Sequence, residues 1–377
     1  MSDSLDILNA IRSVAGSDYQ ERIPEATRTN IAQVGNTIIN YTPSANTFFS
    51  ELINRIGKVV IERMDSMDDI YAVFGEGKLE FGDTIQKIFV DIPSASAYDP
   101  SFTSPTAMLS TSKGVIHVEY TKIDRKLFYK TTVSVDQLRE AFVSVSALDS
   151  FVKGLIEAME TALGYDKYVM LTETLYKHCE YAIENALPAL NVPASVAQYN
   201  DSTGKLEWDT VGAKVFLKLI RVASRQLKFP HSLKYYDENA SENEHEITRV
   251  RTPLEKQVVA LEVSTQAEID VEALAVLFNM DKAEINSRII ELEDGALGKV
   301  TTGEVGSEET VYVGGFICNK DAVERYTSFR HKDSFMNPEG LYTNFWSHYW
   351  GAMAVSKFKD FLPIVFQLKA ESQSEGE

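Results

Sequence analysis

The spacing of apolar residues divides the chain into helical and extended stretches. Ile7, Leu8, Ile11 and Val14 recur at three- and four-residue intervals and predict a short helix over 6–14. Beyond it Pro24, Gly35 and Pro43, among scattered Thr and Asn, interrupt any long element, so 1–46 reads as an extended arm with one short helix. Such an arm buries little by itself and must pack on the rest of the chain or on a neighbour. Phe48, Phe49, Leu52, Ile53, Ile56, Val59, Val60 and Met64 predict a better helix over 47–64, with Asn46 as its cap and Gly57 weakening its middle. The longest apolar stripe comprises Leu148, Phe151, Val152, Leu155, Ile156, Met159 and Leu163 and continues through Tyr168, Leu171 and Leu175 toward Ile183. Pro188 then forbids more helix. A helix of about 40 residues is about 60 Å long, more than the width of a compact domain. Either the molecule is elongated there or the helix breaks at Gly164.

Elsewhere the period is two. The stretch 85–92 is rich in β-formers, and within 115–132 Ile116, Val118 and Tyr120 alternate with His117, Glu119 and Thr121, as in a half-buried strand. The polar segment between them, 93–114, would form the tip of a long hairpin. A lone two-stranded hairpin is marginal in water, so it needs a partner surface. Further on, 188–204 reads as loop, 209–227 as an amphipathic helix ended by Pro230, and 232–251 as a charged surface loop. A strand over 258–263 precedes helices over 271–278 and 282–288, the second capped by Asp281 with Glu284. Strands over 289–292 and 310–318 flank a Gly-rich turn. Near the end, Tyr342, Phe345, Trp346, Tyr349 and Trp350 make both alternating faces of a predicted strand bulky, so it should be covered on both sides. These aromatics are expected in a core or an interface. The class is α+β.

Composition narrows the function. The 377 residues suffice for two to three domain-sized units, and 44% hydrophobic with 24% charged residues is ordinary globular composition. A net charge of -18 argues against a surface that wraps nucleic acid. The two cysteines, Cys179 and Cys318, form no CxxC pair, which fits synthesis in a reducing compartment. The acidic start lacks a signal-type apolar run, no stretch of about 18 apolar residues suggests a membrane span, and 371–377 is a polar tail.

Candidate chemistry is thin. Gly75, Gly77 and Gly82 do not match GxGxxG and read as turn glycines at the hairpin base. Lys177, His178, Cys179 and Glu180 gather a base, a thiol and a carboxylate, but sequence neighbours on a helix point in different directions. Asp65, Asp68 and Asp69 lack the spacing of a calcium loop, and no histidine pair has zinc-binding spacing. Arg330, His331 and Lys332 form the densest basic spot, read as cations meeting an acidic neighbour. No catalytic, cofactor or metal site is expected. An arm, a hairpin and a long helix remain, all poor at burying themselves within one chain.

Five ordered segments resemble the major capsid protein of phi-29-like podophages. They are Asp6-Ile-Leu-Asn-Ala-Ile-Arg12 with Ile23-Pro24 and Ala32-Gln-Val-Gly35; Ile53-Asn-Arg-Ile-Gly-Lys-Val-Val-Ile61; Ala141-Phe-Val-Ser144 with Ser150-Phe-Val152; 267–281; and Asn337-Pro-Glu-Gly-Leu-Tyr342 with Asn344, His348 to Trp350 and Val355-Ser356. The resemblance implies a Hong Kong 97-like capsid fold. Residues 1–46 become an N-arm, 47–69 a helix of the peripheral (P) domain, 70–133 an E-loop, and 134–195 the P domain with its spine helix. The axial (A) domain takes 196–327, and 328–377 returns to the P domain as a strand and tail.

The implied function is self-assembly, as pentamers and hexamers, into the icosahedral or elongated shell around the double-stranded DNA of a small tailed bacteriophage. Scaffolding protein and portal are the implied partners, DNA is enclosed without specific recognition, and no membrane is involved. The chain would be made in the bacterial cytoplasm and reside in the virion. Gly75, Gly77 and Gly82 become candidate E-loop hinges. The phi-29-type chain carries a further immunoglobulin-like domain after the shell fold, and none is expected in this sequence. Two rivals are an encapsulin-type compartment shell and a hydrolase built on His178 and Cys179.

Overall fold

The computed structural model describes residues 4–40, 47–48, 71–79, 82–93, 95, 114–134, 145–209, 211–237, 244–269, 289–303 and 309–369. The predicted helix over 47–64 beyond its first two residues, the helices over 271–278 and 282–288, the carboxylates Asp65, Asp68 and Asp69, most of the hairpin tip and the tail lie outside these residues.

The N-terminal stretch is a folded lobe rather than an extended arm. Helices α1 (Ser4–Val14), α2 (Ser17–Arg22) and α3 (Ile31–Ile39) succeed one another. Side chains stitch the breaks between them. Asn9 exchanges two hydrogen bonds with the backbone of Ala26, at 3.0 and 2.7 Å. Arg12 donates to the carbonyls of Ile23 (2.7 Å) and Gln20 (3.2 Å). Leu8, Ile11, Tyr19, Ile23, Ile31, Val34 and Ile38 then bury against Val133, Met159 and Phe345. Gly35 is buried inside α3 instead of ending it.

Two strands of the next stretch, β1 (Gly77–Lys78) and β2 (Thr84–Val90), are followed by β3 (Ile116–Lys122) and β4 (Arg125–Ser134). Helix α4 (Val145–Glu184) then runs unbroken through Gly164 for 40 residues, about 60 Å. It stops with Ala186 in the left-handed region (φ 51°) and Leu187 N–H donating back to Ala182 O, just before Pro188.

The remaining elements are β5 (Leu190–Val192), β6 (Ala197–Asn200), β7 (Lys205–Trp208), α5 (Gly212–Leu227), β8 (His231–Tyr236), β9 (Glu244–Val250), β10 (Gln257–Glu262), α6 (Val263–Glu268), β11 (Ile289–Leu292), β12 (Lys299–Thr302), β13 (Glu309–Asn319), β14 (Val323–Asn337), β15 (Tyr342–Val355) and β16 (Phe361–Gln367). Two segments expected to be loops, 188–204 and 232–251, contain β5 and β6 and the hairpin β8–β9. Their strands are short and half polar. In β8, Leu233 and Tyr235 face inward while the open side carries polar residues, so the apolar count alone looks loop-like.

Among the described residues one sheet has the order β11-β10-β13-β16-β5, with β12 beside β13. Its two faces are both covered. Val258, Ala260, Phe316 and Cys318 meet Leu171, Leu175 and Cys179 of α4. Val259, Leu261, Ile317, Ile364 and Phe366 meet Phe216 and Ile220 of α5. Strands β11 and β13 flank a Gly-containing turn as expected, with β12 added after it, and border β10 on opposite sides. A side chain at Gly315 would meet Ala260 O at 2.3 Å, so glycine is required where β13 crosses β10. The second sheet has the order β1-β14-β15-β4, and β2–β3 projects as a separate hairpin.

Candidate assembly surface

The hairpin β2–β3 reverses the expected phase of its alternation. Ile88 opposes Val118 and Val90 opposes Ile116 across the ladder. This aliphatic face is outside: Ile88 is 60% and Ile116 62% exposed, and Tyr120 lies beside them. The polar residues predicted to face water point inward. The Glu119 carboxylate accepts from Lys87 Nζ (3.2 Å), Ser356 Oγ (3.1 Å) and Lys357 N (3.2 Å). Lys87 Nζ also lies 2.8 Å from Glu324. His117, 5% exposed, shares a hydrogen bond with Tyr235 Oη (2.9 Å), and its other ring nitrogen is 3.6 Å from Asp91. Phe89, Tyr235 and Phe358 pack around it. The hairpin is thus latched to its own subunit by ionic and hydrogen-bonding groups, and its apolar side is left uncovered. Sequence alternation gives the period of two but not which face meets the core.

The three base glycines differ. Gly77 pairs with Tyr326 in the β1–β14 ladder, and a side chain there would meet the Tyr326 ring at 2.8 Å. Gly75 has open space around it, and Gly82 sits at φ 88°. Between Gly75 and Gly77, Glu76 accepts from Lys167 Nζ at 3.0 and 2.9 Å and from the Thr327 hydroxyl. Burial pushes the Glu76 carboxyl up, but Lys167 and Thr327 outweigh it and leave it below the usual range. A loop already filled by a paired carboxylate is no phosphate cradle.

The aromatic segment is strand, but it is covered on one side only. Phe345 and Tyr349 are buried against the helices. Trp350 is 37% exposed on the other face, with Phe329 at 4.8 Å and Lys126 over its ring at 4.9 Å. Lys130 lies over Trp346 at 5.7 Å, and Phe128 and Phe335 are exposed on the same face. Tyr342 Oη accepts from Asn337 at 2.9 Å. This is a second uncovered aromatic surface. In the basic spot, Lys332 pairs with Glu160 (2.7 Å) and Arg330 stacks over Tyr349.

The thiol chemistry fails on its surroundings. Cys179 is fully buried and burial drives its pKa up, while His178 sits edge-on to Phe361 and is pushed down to about 3 by desolvation and Lys357. At neutral pH the thiol is protonated and the imidazole uncharged, so no nucleophile forms. Among the described residues no cluster of three His, Cys, Asp or Glu is placed to hold a metal, and no helix is long and apolar enough to cross a membrane.

Sequence reading passed over two features. Glu262 is buried, accepts from Tyr312 Oη and from Gly295 N (3.0 Å), and is raised to about 7 by desolvation that these hydrogen bonds only partly oppose. Helix α5 carries Lys214, Lys218, Arg221 and Arg225, whose four-three-four spacing was a readable signal of one charged side.

Known proteins resemble this chain in sequence and in fold. The chain is 27% identical to the major capsid protein of Bacillus phage PZA, over 97% of this chain and 73% of that one. It is 26% identical to the major capsid protein of Streptococcus phage Cp-1, over 95% of this chain and 93% of that one. The capsid structure of Staphylococcus phage Andhra shares the fold at a TM-score of 0.53 and 13% identity, covering 78% of this chain and 83% of that chain. Residues 8–365 match a single family from α1 to β16, so the chain, with its Hong Kong 97-like fold, belongs to the Phi29-like phage major capsid protein family.

Proposed function

We propose that copies of this chain assemble as pentamers and hexamers into the shell that encloses a double-stranded DNA genome, with a scaffolding protein and a portal as partners. The observation that carries this reading is the hairpin β2–β3. Its polar face is satisfied within the subunit while a continuous aliphatic face stands in water. Exposed apolar patches of this kind mark interaction sites. In this reading the hairpin is the E-loop and α4 the spine helix of the P domain. Strands β10 and β13 belong to the A domain (196–327), β14 and β15 return to the P domain, and β5 and β16 carry P-domain residues (134–195 and 328–377) into the sheet of β10 and β13. Each E-loop lies across a neighbour, and many weak contacts add through multivalency. The chain is made in the host cytoplasm and ends in the virion, and its acidic balance keeps the inner wall from gripping DNA.

The hinge in this scheme falls to Gly75 and Gly82, because Gly77 is pinned by Tyr326. Electron microscopy of the overexpressed chain tests the shell reading: closed shells or rings are expected, and persistent monomers would sink it. Gly82→Val should leave the subunit folded yet give aberrant shells, since φ 88° disfavours a branched residue. Normal shells from that variant would remove the hinge.

A further inference from the structure

Helix α5 is a basic exception in an acidic chain. The sequence has 55 acidic against 37 basic residues, yet 212–229 contains no Asp or Glu. Lys214, Lys218, Arg221 and Arg225 align along one side of the helix over about 16 Å. Among the described residues none of the four makes an ion pair. Beside this stripe run Val211, 56% exposed, Val215 and Val222, with exposed Phe229 just past the helix end. The opposite side buries Phe216 and Ile220 under the sheet. A merely solvated helix face would mix both charge signs and would not set β-branched residues beside the cations.

The occupant must answer both stripes. Duplex DNA takes up the cations through phosphates but has no use for three valines. A protein surface that is acidic and partly apolar uses both. Outside α5 every copy of this chain is more acidic than its overall charge of -18 indicates, so charge complementarity favours another copy. We infer that α5 docks through its basic and valine face onto an acid-lined surface of a second copy. The two surfaces are different parts of identical chains, so the contact is head-to-tail and closes into rings when the rotation allows. It rests on the shell reading and specifies one of its contacts.

The test compares the full-length chain with a quadruple variant, Lys214→Glu, Lys218→Glu, Arg221→Glu and Arg225→Glu, and with Val215→Asp. Circular dichroism and thermal midpoint should match wild type for both. Sedimentation and negative-stain microscopy should show assembly reduced about tenfold or more. Raising the salt should weaken wild-type assembly, as screening shortens the reach of the cations. The conservative pair Lys218→Arg with Arg225→Lys should assemble normally. Wild-type assembly by the quadruple variant overturns the contact, and if that variant also loses a gel shift with linear duplex DNA, the stripe belongs to DNA instead. A wild-type chain that forms neither rings nor shells overturns the shell reading, and this contact with it.

Discussion

The hairpin β2–β3 and the paired strands β13 and β16 share β-branched and aromatic residues, alternating with polar ones only in the hairpin, and have opposite fates. In β13–β16 almost every side chain is buried, because α4 covers one face of the sheet and α5 the other. In the hairpin only the polar face is covered, by residues 356–358, Glu324 and the β8–β9 hairpin. Local sequence makes both into strands. What differs is whether the chain supplies a second apolar layer. Where it does, the strand stabilises the subunit; where it does not, the strand offers its apolar face to another molecule. The contrast can be broken by substitutions whose cost to the isolated subunit falls in a definite order.

The largest cost belongs to the covered sheet. Phe316 is fully buried and stacks on Phe361 at 4.8 Å. Phe316→Ala should destabilise the subunit by about 3–5 kcal/mol, read by denaturant unfolding. A loss below about 1 kcal/mol would mean the core relaxes around the site. Next comes the buried acid of the same sheet. Among the described residues Glu262 has only neutral donors, and its pKa rises from 4.5 to about 7 on folding. The folded state therefore binds more protons than the unfolded one between those values. Stability should fall as pH rises from about 4.5 to about 7, by about 3 kcal/mol, and level off above. Glu262→Gln should flatten that slope, and an unchanged profile would assign it to other groups.

The hairpin latch ranks third. Glu119 holds Lys87, Ser356 and the Lys357 N–H at once. Glu119→Ala leaves Ser356 Oγ and Lys357 N unmatched in a partly solvated slot while Lys87 keeps Glu324, a cost of about 2 kcal/mol. Hydrogen exchange in β2 and β3 should accelerate before exchange in β13 does. Equal acceleration in both would mean the hairpin and the core open together.

The same contrast governs how much was legible in the sequence. The 40-residue helix and the aromatic strand β15 announced themselves because long runs carry their own signal, and β10 did so as a short run of β-formers. The N-terminal lobe did not, because side chains such as Asn9 and Arg12 bridge breaks that Pro24 seemed to make final. Hairpin β8–β9 was hidden by its polar open side. The phase of β3 was unreadable in principle. His117, Glu119 and Thr121 look solvent-facing until Tyr235, Ser356 and Lys357 arrive from more than a hundred residues away. The candidate surface was legible as a need for a partner, while its identity as the Ile88–Ile116 face required the tertiary contacts.

The smallest effect on the subunit is the sharpest test of the comparison. Ile88→Ser with Ile116→Ser exchanges two side chains for polar ones on the outer face, where both are mostly exposed within the chain. Surface changes of this kind usually stay within about 0.5 kcal/mol, so denaturant midpoints should match wild type. Assembly should nevertheless fail, because that face then has no apolar surface to remove from water at a neighbour. An exposed pair that is not apolar, such as Gln86→Ser with Lys122→Ser, should leave both stability and assembly intact. If the isoleucine pair assembles normally, the uncovered face is incidental and the shell must be held elsewhere. If it unfolds the subunit, the hairpin belongs with β13 and β16 and the distinction between the two regions collapses.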